Sequence, residues 1–204
     1  MFKNQNWWCM KILIYSLILT VMIFAQGIPE YSRVTYIGTS SWADEDKDCQ
    51  DTRQEVLIAE NIADSLKFKT DNKCKVIYGI WHCLFTDQLY TNPSKLDIDH
   101  VVPLKEAHRS GAYLWSKDKR KAFANFLEDP NHLIAVSASA NRSKGDRAPH
   151  LWVPPNEKFH REYCKIWVSI KTQWGLTVTK EELLFLQAVL RYDNSVIFPK
   201  LRAE

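Results

Sequence analysis

Asp97-Ile98-Asp99-His100-Val101-Val102-Pro103 is the stretch from which the rest of the chain is best read. β-Branched residues surround an acidic, histidine-containing centre, and the run stops at a proline, as a short strand does. Further along, Leu133-Ile134-Ala135-Val136 is an apolar run suited to a second strand, and Ser137 is placed to cap a helix running through Asn141 to about Lys144. The predicted order is strand, long excursion, strand, helix. Successive side chains on a strand point to opposite faces, so adjacent Asp99 and His100 enter one site only if the strand ends or twists there, which Pro103 allows.

Outward from this centre the chain reads mainly as helices. Thr52 and Glu55 form a capping-box pattern ahead of Val56, Ala59, Ile62, Ala63 and Leu66 at helical spacing. A short strand at Val76 to Tyr78 and a loop-rich stretch from Leu84 to Leu96 follow. One helix is expected from Pro103 to near Gly111, and another from about Lys117 with Phe123, Phe126 and Leu127 inward. Phe159, Tyr163, Ile166, Trp167, Ile170 and Trp174 stripe a helix that stops at Gly175; Thr179 and Glu182 cap a last one carrying Leu183, Leu186 and Leu190. These stripes are core. The fold class is α+β, and no repeat or linker marks a second domain in 27–204.

Before residue 27, Lys3 and Lys11 precede the apolar run Ile12 to Phe24, which ends at Ala25, Gln26 and Gly27. That run is shorter than the ~18 residues that span a bilayer, and reads as a signal peptide, 1–26, removed on export, the alternative being an uncleaved membrane anchor. The mature protein is then secreted, without stable membrane association. The cut removes Lys3 and Lys11 and no acidic residue, so the formal charge falls from +3 to +1 and excludes little. Locally, Lys105, Arg109, Lys117, Lys119, Arg120 and Lys121 face only Glu106 and Asp118, a run that either attracts a polyanion or is a solvated helix face. The cut also discards Cys9 and leaves Cys49, Cys74, Cys83 and Cys164. No Cys-x-x-Cys spacing suggests a metal, and two disulfides are expected, with Cys74–Cys83 and Cys49–Cys164 the preferred guess among three connectivities.

Asp99 offers an anionic oxygen and His100 a group that takes a proton near neutral pH. A hard cation prefers oxygen donors, which Asp99 and the Asn141 amide both supply. The other histidines, His82, His108, His132, His150 and His160, lack metal-ligand spacing such as His-Glu-x-x-His, which argues against a zinc hydrolase.

Three ordered blocks, Asp97-Ile-Asp-His100-Val-Val-Pro-Leu, Pro130-Asn131-His-Leu-Ile-Ala-Val-Ser and Asn141-Arg-Ser-Lys-Gly-Asp146, resemble the HNH nuclease motif. Together with Asp48-Cys-Gln-Asp-Thr-Arg-Gln-Glu-Val-Leu57, they are similar in particular to small secreted HNH nucleases related to the C-terminal domain of GmrSD-type restriction enzymes, as far as about Leu190. The resemblance implies a ββα-metal (HNH) core at about 96–148, surrounded by helices. It implies Asp99 and Asn141 as metal ligands, His100 as general base, Asn131 as the residue orienting the base or its loop, and Asp97 as support behind the ligands. Asn rather than His at the final motif position favours Mg²⁺, or another divalent cation such as Mn²⁺, over zinc.

The implied reaction is hydrolysis of phosphodiester bonds in DNA or RNA, with little sequence preference and 5′-phosphate products. Arg142, Lys144, Arg109 and Arg53 are the candidate phosphate contacts. Trp152 either stacks on a base or pins its loop to the core, the second being the commoner use. Asn141-Arg142-Ser143 also fits the glycosylation pattern; as a ligand, Asn141 is expected to be unmodified. The competing expectation is a secreted nucleic-acid-binding module or effector that keeps the scaffold and no longer cuts. Oligomeric state is not written in the sequence.

Overall fold

A computed structural model describes residues 27–38, 42–64, 66–191 and 193–202, so the expected signal at 1–26 lies outside the described residues. In chain order the elements are α1 (Val34–Ile37), α2 (Thr52–Ala59), β1 (Lys67–Phe68), β2 (Val76–Tyr78), β3 (Trp81–Cys83), β4 (Gln88–Tyr90) and β5 (Leu96–His100). Then come α3 (Leu104–Arg109), α4 (Lys117–Ala124), β6 (Leu133–Ser137), α5 (Ala138–Lys144), α6 (His160–Trp174) and α7 (Lys180–Leu190). The strands pair antiparallel as β1–β2, β3–β4 and β5–β6. The mixture of helices and small sheets is the α+β class expected.

β5 and β6 form the ribbon at the centre, in register from Leu96 opposite Ser137 to His100 opposite Leu133. Leu96, Ile98, Leu133 and Ala135 join a core cluster with Val56, Leu57, Val76 and Trp81. Ile134 and Val136 join the larger cluster with Val101, Val102, Phe123, Tyr163 and Trp167. Apolar cover on both faces explains why Leu133 to Val136 reads as an unbroken apolar run. Ser137 accepts a hydrogen bond from Ala140 N as N-cap, and α5 starts there as predicted.

The last two helices follow their sequence signals closely. Gly175 closes α6 in the left-handed region, φ 69°, and the Thr179–Glu182 capping box opens α7 with both hydrogen bonds made. Lys171, wholly buried, bridges Glu106 of α3 and Glu182 of α7 at 2.8 and 2.7 Å.

Elsewhere, tertiary contacts override local pattern. The cap of α2 is Asp51, which accepts from Gln54 N, because the Thr52 hydroxyl donates to Ala43 O instead. That helix stops at Ala59, short of Ile62, since Ile62 N bonds Ile80 O and the Asn61 amide oxygen accepts from Ile80 N. α4 ends at Ala124, before Phe126 and Leu127. The stretch expected to be loop after Leu84 contains β4, whose hairpin with β3 is anchored by the buried Trp81, donating to Leu57 O at 2.7 Å.

The cysteines correct the expected pairing. The bond is Cys49–Cys74, with Cα atoms 5.2 Å apart, while Cys83 and Cys164 are buried free thiols, so one disulfide is formed among the described residues rather than two. Cys83 points into the large core, where its sulfur accepts from Ser137 N, and the exposed turn before β2 delivers Cys74 to the loop ahead of α2.

Candidate metal centre and base

Asp97 and Asp99 alternate with Leu96, Ile98 and His100 along β5, and the two carboxylates meet α5. Asn141 Nδ2 donates to Asp97 Oδ2 at 3.2 Å. Lys144 Nζ lies 2.5 Å from Asp99 Oδ2 and 2.7 Å from His100 O. Residues three apart share a helix face, so Asn141 and Lys144 both turn toward the strand while Arg142 turns to solvent. Asp97 and Asn141 are half-buried; Asp99 is 4% exposed and Lys144 0%.

Burial pushes the Asp99 carboxyl up and the Lys144 ammonium down, and in each case the partner's charge opposes the shift. Two carboxylates and an amide on one face give oxygen donors of the kind a hard divalent ion takes; with Nδ2 donating to Asp97, the Asn141 amide keeps its Oδ1 as the oxygen donor. The donor set fits such an ion. Asp99 would share it with the Lys144 ammonium that already neutralises that carboxylate.

His100 sits on the other side of the ribbon. β5 remains paired through His100, so strand alternation persists to its end and Asp99 and His100 diverge. The acidic face, with Asp97, Asp99, Asn141 and Lys144, and the face bearing His100 thus lie on opposite sides of the strand, and the twist that would bring Asp99 and His100 into one site is not made within β5. His100 Nε2 is 2.9 Å from Ala124 O, and a carbonyl only accepts, so Nε2 carries the hydrogen and Nδ1 the lone pair. His132 Nε2 lies 2.7 Å from Phe123 O. Both imidazoles thus satisfy carbonyls left open at the C-terminal end of α4. Burial first, then neighbouring His132, lowers the His100 pKa to about 3, and burial lowers His132 to about 4, so both rings are neutral at ordinary pH. The Trp42 indole stacks on the His100 ring, centroids 5.2 Å apart and planes 17° from parallel.

The remaining sequence-derived residues are distributed unevenly. Asn131 is exposed, its backbone N–H held by the Asp129 carboxylate, and the carbonyl that orients His100 is that of Ala124. Arg53 donates to Pro93 O and Leu96 O, both at 2.9 Å, and braces β5. Arg109 is bound to Glu106 and Asp146, and Lys144 is sealed against Asp99. Of the four candidate phosphate contacts, Arg142 is the exposed one. The basic run is mostly engaged within the fold: Lys105 pairs with Asp146, Lys121 with Glu45, and Arg120 donates to Trp115 O. Trp152 packs against Phe85 and Tyr163 and pins its loop.

Sequence reasoning missed Trp42, Ala124 and Asn125. They lie in a loop and at a helix end, where periodicity carries no signal; Asn125 Oδ1 accepts from Ala43 N at 3.1 Å. It also passed over Asp44, Asp46 and Asp48, exposed, with ligand atoms all within 4.8 Å of one another. From Asp44 to Glu55 the spacing is that of the twelve-residue Asp-x-Asp-x-Asp…Glu calcium loop, with Cys49, at φ 80°, in the glycine position. Exposed acidic groups are common without an ion, and no function is assigned to these.

Residues 51–188 match the family described as GmrSD restriction endonucleases, C-terminal domain. The chain is 37% identical over 139 residues to an uncharacterized secreted protein of Arthroderma benhamiae, covering 68% of this chain and 66% of that one, just under two thirds of the relative's length. No solved structure matches. The match spans the ribbon, α5 and most of the helices packed on them, and on it the chain belongs to the family of GmrSD restriction endonuclease C-terminal domains.

Proposed function

We propose that this protein is an exported, metal-dependent HNH endonuclease that hydrolyses phosphodiester bonds of DNA or RNA with little sequence preference, on a ββα-metal core formed by β5, β6 and α5. The observation that carries this reading is the contact between Asp97 and Asn141, which brings the first and third motif blocks together; His100, on the other face of β5, is held by Ala124 O in the tautomer that leaves Nδ1 able to accept a proton, and it reaches the same phosphate only if the strand end twists when substrate binds. Asp99 and Asn141 hold a divalent cation such as Mg²⁺ or Mn²⁺, with Asp97 steadying the Asn141 amide. When bound, the ion supplies charge neutralisation at the scissile phosphate and leaving oxygen. His100 Nδ1 takes the proton of the attacking water, and the negative phosphate brought near it raises the ring's affinity for that proton. Arg142, exposed on α5, is the phosphate contact best placed to act. Export is supported by the secreted relative and the Cys49–Cys74 bond; among the described residues no helix is long and apolar enough to cross a membrane.

The test is incubation of the purified protein, cut after residue 26, with plasmid and with RNA, in Mg²⁺ and in chelator, beside His100→Ala. Cutting that needs the ion and drops at least 100-fold in the variant is expected, on the ~10² to 10⁴ range for general base catalysis. Chelator-insensitive cutting, or equal activity in the variant, defeats the mechanism. A second reading, a scaffold that binds nucleic acid without cutting, is favoured by one observation: Asp99 and His100 are only 4% and 6% exposed. Binding without turnover would establish it.

A further inference from the structure

Around His100 the protein has built more than the bond to Ala124. Trp42 is half-buried; it packs at the edge of the smaller core cluster, and its flat face lies on the imidazole. The residue after it is fastened at several points. Ala43 N donates to Asn125 Oδ1 at 3.1 Å, and Ala43 O accepts from Thr52 N at 2.7 Å and from the Thr52 hydroxyl at 3.0 Å. Glu45 pairs with Lys121 of α4 at 2.8 Å. The segment bearing Trp42 is thus tied to the same helix end that presents Ala124 O to the ring.

We propose that Trp42 is a positioning residue for His100: its indole closes one face of the imidazole while the Ala124 carbonyl holds the edge, and the two, joined through Asn125, keep Nδ1 aimed. An edge bond alone leaves the ring free to rock about the line from Cβ to the carbonyl. A parallel aromatic plate removes that rotation, and misplacing a reacting group by an ångström costs on the order of 100-fold in rate. The inference rests on the nuclease reading for its kinetic consequence but not for its structural one.

The experiment compares Trp42→Phe, which keeps a plate, with Trp42→Leu, which keeps apolar bulk and loses it. In steady-state cleavage, Trp42→Leu is expected to lower kcat about tenfold with KM unchanged, and Trp42→Phe to retain most of kcat. Independently, the imidazole nitrogen spectrum, with the His100 signal assigned by its loss in His100→Gln, should show one Nε2–H tautomer in the wild type and Trp42→Phe, and a broadened or mixed signal in Trp42→Leu. If Trp42→Leu cuts as the wild type does and the His100 signal is unchanged, the proposal is overturned. If the wild type does not cut but the signal changes in Trp42→Leu, the positioning role stands and the nuclease reading fails. If Trp42→Leu fails to fold, equal loss of kcat and ring order in a folded Trp42→Phe overturns it, because the plate is then not what matters.

Discussion

Lys144 offers the sharpest consequence of a single side chain. Its ammonium, fully buried, touches the Asp99 carboxylate and the His100 carbonyl and nothing exposed replaces it. Removing one member of a buried pair strands the other charge, so Lys144→Met is expected to lose about 3 to 5 kcal/mol in urea unfolding. Asp99→Asn in the same chain should recover a large part of that; full additivity of the two losses would show that the pair does not act as one unit. Asp97, Asp99, His100 and Asn141 stand out in the sequence as candidates, and the structure puts Asp97 against Asn141, Asp99 against Lys144 and His100 against Ala124 O. The use of Lys144 was not, because it was grouped with Arg142 by proximity along α5, although its spacing of three from Asn141 puts it on the strand-facing side. Trp42 and Asn125 had no pattern to betray them, since both act through contacts distant in sequence.

Among the elements, β6 has an edge that its own ribbon does not pair. Glu60, just past α2, closes it by accepting from Ala135 N with both carboxylate oxygens, at 3.0 and 3.2 Å. Burial raises the Glu60 pKa to about 7, with the bond from Ala135 opposing. A carboxyl whose folded value lies above its unfolded one contributes stability that is complete below about 4.5 and lost as pH rises through about 7. Glu60→Gln keeps an acceptor and discards the charge, so it should raise stability above pH 7 by up to about 3 kcal/mol and by little at pH 4. His100 and His132 work in the other direction: their folded values lie below the ordinary one of 6.5, so their contribution is present above 6.5 and lost as pH falls toward about 3 and 4. Chemical denaturation across pH 4 to 8 should therefore show stability declining on acidification, more steeply in Glu60→Gln; a flat profile in both proteins would contradict the buried neutral rings. Elements with a cap or a stop written locally, such as α5, α6 and α7, matched their sequence pattern. Those ended by distant partners did not: α2 stops early where Asn61 and Ile62 turn to meet Ile80, which no local propensity announces.

At the scale of the molecule, one covalent link among the described residues joins the loop before α2 to the β1–β2 turn, and the thiols of Cys83 and Cys164 are free and buried. Burial pushes Cys164 up to about 12, which suppresses thiolate and reactivity. Thiol titration of the protein cut after residue 26, without reductant, should find none accessible when native and two when denatured; none in denaturant would reveal a second bridge. Counting cysteines gave their even number but not their partners, because which loops meet is decided by how the chain packs. The family assignment covers the ribbon and the helices around it, and the sequence blocks that announced it fall on β5, β6 and α5. Finally, α4 ends with Phe123 O and Ala124 O each accepting from an imidazole at one end of the ribbon, His132 just before β6 and His100 at the last position of β5. Fraying of that single turn would unlatch both rings together. On heating, the slowly exchanging imidazole protons of His100 and His132 should vanish in step, ahead of the global melt, making the end of one short helix the thermal fuse of the whole assembly.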